Sequence, residues 1–90
     1  MRTANKTEYM VKESIRKFSD EDIKFLYPRL TQRIASDLSE ALIFIQDRHA
    51  ELNRLLTQAG SAEAVYDIVD LIDKQMQHEY QKRFMTARAS

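Results

Sequence analysis

The stretch LTQRIASDLSEALIFIQDRHAELNRLLTQA, residues 30–59, decides the fold. Leu30, Ile34, Leu38, Ala41, Ile45, His49, Leu52, Leu56 and Ala59 follow one another at steps of three and four, the spacing that gathers side chains on one face of an α-helix. At ~1.5 Å per residue, the run from Pro28 to Gln58 would reach roughly 45 Å, more than a small compact domain needs, so something must cover it along its length.

Upstream, Ser19 precedes Asp20, Glu21 and Asp22, an N-cap followed by an acidic first turn that complements the positive end of a helix. The long helix therefore starts near residue 20 and runs to 58. Pro28 lacks the N–H and crowds the preceding turn, while Tyr27 is pushed away from helical angles, which predicts a kink or break near 27–28. Before it, Val11, Ile15 and Phe18 lie opposite Lys12, Glu13, Arg16 and Lys17, predicting a short amphipathic helix over 3–18. After it, Gly60 and Ser61 read as an αL-competent stop and a new N-cap. A last helix over 62–87 follows, with Val65, Val69, Ile72, Met76, Tyr80, Phe84 and Ala87 on one stripe, and Thr86 to Ser90 is a small polar tail expected to fray. The i,i+4 pairs Glu13–Lys17, Asp20–Lys24, Asp70–Lys74 and Glu79–Arg83 support helix and nothing more, and Lys82, Arg83 and Arg88 suit the negative end of the last helix.

The expected fold is all-α: one domain over residues 1–90, a kinked antiparallel hairpin of the long and the C-terminal helix with a short N-terminal helix, forming a dimeric bundle. With 90 residues, one glycine and one proline there is little turn material for a sheet, and a chain this short gains from a partner's surface. Fourteen basic residues balance fourteen acidic ones, so no net field draws nucleic acid, membrane or acidic substrate. The absence of cysteine excludes disulfides, thiol nucleophiles and zinc–thiolate sites, and no apolar segment has the length of a signal peptide or membrane span. A cytoplasmic protein without a membrane partner is expected.

Residues Ala41-Leu42-Ile43-Phe44-Ile45 are five apolar side chains in succession, and at 100° per residue they surround the helix. One neighbouring helix cannot cover them all. The first helix, a second copy of the chain or a different protein could cover the remainder; the second copy is preferred, because two-fold homodimers are the commonest oligomers and two hairpins make a four-helix bundle. The expected interface residues are Leu42, Ile43, Phe44 and His49, the last being a histidine on the apolar stripe.

The sequence offers no chemistry of its own. A dimetal bundle needs Glu-x-x-His pairs, but Gln46 and Gln75 stand three residues before His49 and His78. Asp67, Asp70 and Asp73 recur every third residue and read as a solvated stripe partly paired with Lys74 rather than a cation site. Phosphate-cradling loops need several glycines, and two histidines among many carboxylates are not a catalytic constellation. No enzyme, metal or cofactor is expected. The functional expectation is a homodimeric protein-interaction module of adaptor, chaperone-like or regulatory kind. The alternative is a nucleic-acid-associated regulator that uses a dimer-doubled basic edge at Arg29 and Arg33, a weaker reading because Asp20 to Asp22 lie in the same region.

Overall fold

A computed structural model describes residues 2–85, the side chains from Lys6 onward. Five helices follow in order: α1 (Arg2–Arg16), α2 (Asp20–Thr31), α3 (Ala35–Arg48), α4 (Ala50–Gln58) and α5 (Ala62–Tyr80), the last running into a π-helical turn, Gln81–Met85. No strand is present among the described residues. The expected end of the last helix at Ala87, the role of Arg88 and the Thr86–Ser90 tail lie outside them.

The two serine caps form as read. Ser19 Oγ accepts from the Asp22 N–H at 3.1 Å and Ser61 Oγ from the Ala64 N–H at 3.2 Å, each satisfying an amide that helix geometry leaves orphaned. Gly60 does not take the left-handed conformation expected of it. The chain instead leaves α4 through extended backbone at Ala59 (φ −64°, ψ 132°) and enters α5 through extended Ser61.

The long helix expected over 20–58 is three helices. Pro28 does not interrupt the chain: it sits inside α2, and the helix continues until the Gln32 N–H bonds the Pro28 carbonyl at 3.1 Å. The reason is packing. Leu26 and Leu30, either side of the proline, are fully buried, and Tyr27 stacks on Tyr80 with ring centroids 4.1 Å apart, so keeping this turn helical preserves contacts that a break would lose. The break falls instead at Arg33, whose φ of 60° is left-handed. A non-glycine residue in that region costs about 1–2 kcal/mol and persists only where its surroundings hold it. Here its guanidinium bonds Asp70 and reaches Asp73 Oδ2 at 3.4 Å on α5.

A second break, at His49 (φ −130°, ψ 83°), divides α3 from α4 with neither glycine nor proline. Backbone hydrogen bonding nearly carries across it, His49 donating to Ile45 and accepting from Asn53. The step lets both segments turn an apolar face inward: Ala41 and Ile45 from α3, Leu52 from α4, all fully buried.

The core is completed by Val11, Ile15, Phe18, Ile23, Leu26 and Leu30 from the first two helices and by Val69, Ile72 and Met76 from α5. The last helix is the centre of the assembly. It packs most extensively on α2 and α1, and less on α4, while α3 packs on α2 and α4. The expected hairpin between a long helix and the C-terminal helix is thus replaced by a cluster around α5.

Candidate functional site

The run Ala41 to Ile45 is divided by its own helical geometry. Ala41 and Ile45 enter the core; Ile43, on the opposite side of α3, is 57% exposed. Leu42 and Phe44 occupy the two flanks. On one, Leu42 and Leu38 face Val65, Tyr66 and Val69 across a cleft between α3 and α5 whose lining is mostly apolar. Tyr66 is 59% exposed and Ile34, at the start of α3, is 51% exposed.

On the other flank, Phe44 stacks on Phe25 of α2 at 4.5 Å. Two guanidiniums cover this pair, Arg29 at 3.9 Å over Phe25 and Arg48 at 4.9 Å over Phe44, with the attraction of a cation for the negative face of a ring. Arg29 also donates to Glu40 Oε1 at 3.0 Å and to the Phe25 carbonyl at 2.9 Å. Ile43, Glu40 and Asp47 edge this second depression.

Of the expected interface residues, then, Ile43 stands free and Leu42 lines an open cleft, whereas Phe44 and His49 are engaged within the chain. His49 lies against Phe18, its ring 3.8 Å away and nearly parallel, with Phe44 tilted 5.9 Å off. Its Nε2 is 3.2 Å from Asp22 Oδ2 but makes no hydrogen bond, and the two form an ion pair only when the imidazole is protonated. Burial lowers the imidazole pKa below its ordinary value; Asp22 opposes this and Arg48 adds to it.

The unfolded chain therefore takes up the proton first as pH falls. The stability this site contributes is complete above the unfolded pKa of about 6.5 and shrinks as pH drops from there through the lowered folded value, at no more than ~1.4 kcal/mol per pH unit. Urea titrations of wild type and His49→Gln between neutral and mildly acidic pH are expected to diverge in that window, with the variant the flatter. Parallel curves would mean that the imidazole titrates in the fold as it does in the unfolded chain.

Arg29 is held by Glu40, while Arg33 is held across the molecule by Asp70 and Asp73. The same contacts revise the aspartate stripe. Asp70 pairs with Arg33, not Lys74, and Asp73 is buried, accepting from Thr31 Oγ1 at 3.3 Å and Gln77 Nε2 at 3.2 Å. Glu13 bonds Arg16 rather than Lys17, and Glu79 bonds Arg83 as the spacing predicts. No three of the histidines, aspartates and glutamates gather as a metal site among the described residues. Nor is any hydroxyl there hydrogen-bonded to His49 Nε2.

Sequence reasoning missed Tyr66, which sits beside the apolar stripe rather than on it and carried no periodic signal. No helix among the described residues is long and apolar enough to cross a membrane. No protein-family profile, no curated protein and no solved structure matches the chain.

Proposed function

We propose that the chain is a protein-interaction module of adaptor, chaperone-like or regulatory kind that works as a homodimer, its copies joined at the α3–α5 cleft. The observation that supports this is the apolar lining of that cleft by Leu38, Leu42, Val65, Tyr66 and Val69, with Tyr66 more than half exposed. Contiguous apolar surface of this kind marks interfaces. A two-fold axis is suited to it, because each copy offers both a projecting aromatic, Tyr66, and the recess that receives one, so a single surface is its own complement.

Light scattering coupled to gel filtration is expected to give twice the chain mass for wild type across the micromolar range, and one chain mass for Leu42→Glu with helix content retained. A wild-type monomer at every concentration, or an unaltered Leu42→Glu dimer, would remove the homodimer. The alternative that relied on Arg29 and Arg33 is weakened by the carboxylates already holding both side chains.

A further inference from the structure

Zero net charge conceals a strong separation. Residues 6–17 and 74–83 together hold seven lysines and arginines against three glutamates, while residues 18–73 hold eleven acidic residues against five basic ones. The fold places the first two segments side by side, α1 packing along α5. Within them Arg16 is neutralised by Glu13 and Arg83 by Glu79. Lys12 and Lys74 have no carboxylate partner among the described residues, and for Lys74 the cause is visible: Asp70, one turn earlier on α5, is drawn away by Arg33.

These two lysines border the same depression. It is lined by Lys12, Lys74, Gln75, Gln77, His78 and Gln81, with no acidic residue in its wall. An adjoining hollow continues it past Arg16 and Lys82, with Glu13 and Glu79, the partners of Arg16 and Arg83, also in its wall. Lys74 on α5 and Lys82 on the π-helical turn that follows it stand eight residues apart, or roughly 12 Å. Glutamine amides between them offer both donors and acceptors. Tyr9 lies on the same side of α1, three residues before Lys12, and is 63% exposed.

We propose that this α1–α5 depression binds a single-stranded nucleic acid. Lys12 and Lys74 meet successive phosphates, the glutamines meet sugar or base edges, and Tyr9 offers a ring on which a base stacks. The pattern is the one single-strand binders use: a positive groove that follows the backbone, with an aromatic platform beside it. An open trough suits one strand, whereas a duplex groove is entered by a projecting helix or ribbon. The surface lies towards the C-terminal end of α5, beginning five residues beyond Val69, and shares no lining residue with the α3–α5 cleft, so it does not depend on dimerisation there.

Fluorescence anisotropy with a fluorescein-labelled single-stranded DNA of about twenty nucleotides and mixed sequence tests the proposal. Wild type is expected to bind, with affinity falling as salt rises. The Lys12→Gln/Lys74→Gln double variant is expected to lose about tenfold or more in affinity and to flatten the log–log salt slope by about 1.4, the value for two phosphate contacts on a single strand. Tyr9→Ala should weaken binding several-fold while leaving the slope in place, because stacking releases no counterions. Arg54→Gln on α4 is expected to change nothing. Absence of salt-dependent binding, an unaffected double variant, or an equal loss in Arg54→Gln overturns the proposal. So does an interaction with phosphatidylserine vesicles that depends on Lys12 and Lys74 when the DNA strand does not bind, since it would assign the surface to a membrane.

Discussion

Replacing Arg83 with alanine is expected to lower the stability of the fold by about 2–4 kcal/mol, read as a shifted urea midpoint in circular dichroism. Among the described residues, no other long side chain makes so many hydrogen bonds between elements. Its guanidinium bonds Glu79 Oε2 at 2.8 Å, the Phe18 carbonyl at 2.7 Å, Asp20 Oδ1 at 3.1 Å and the Arg16 carbonyl at 3.0 Å. Both carbonyls belong to the C-terminal end of α1 and its exit, where helix geometry leaves acceptors without partners. Glu79 is itself buried, so truncation leaves an uncompensated carboxylate as well as two orphaned carbonyls. Arg83→Lys is expected to recover less than half of the loss. An ammonium retains the charge, but not the planar fork that reaches four acceptors on two sides. An Arg83→Ala midpoint equal to wild type would mean that water satisfies α1's end equally well and that the connection is ornamental.

The second large effect separates two isoleucines only two positions apart. Ile45 is fully buried among the core residues, and Ile45→Ala is expected to cost about 2–5 kcal/mol through lost transfer energy and the cavity left behind. Ile43, exposed over more than half of its surface, is expected to change the stability of the monomeric fold by no more than about 0.5 kcal/mol when replaced by alanine. Chemical denaturation of both variants at low protein concentration, where association contributes least, makes the comparison. A large loss for Ile43→Ala under those conditions would place that side chain inside the chain's own core. Equal small losses would mean that α3 is not seated through Ala41 and Ile45 at all.

Much of the candidate interface was legible as an excess. Five apolar residues in succession cannot all face one neighbour, and Ile43 and Leu42 do remain at an exposed position and in an open cleft. The partners of Phe44 and His49 were not legible. Phe25 and Phe18 lie on other segments, and no spacing rule connects residues nineteen or thirty-one positions apart. The basic depression was hidden for a related reason. Lys74 reads as the i+4 partner of Asp70 until the turn at Arg33 brings a stronger, forked cation to the same carboxylate.

What the sequence determined by itself was local: helices throughout, the serine caps of α2 and α5, the Glu79–Arg83 pair, and the apolar face that supplies Ala41, Ile45, Leu52, Val69, Ile72 and Met76 to the core. Each of these rests on interactions within one or two helical turns, or on the 3.6-residue period. Only the tertiary structure decided where the long stripe divides, that Pro28 is tolerated inside α2, and which carboxylates hold Arg29, Arg33 and Arg83. Those outcomes turn on contacts between segments far apart in the chain. Burying Leu26, Leu30, Ile45 and Leu52 around α5 outweighs the cost of a proline in mid-helix and of a left-handed arginine, and that balance exists only once the helices have met.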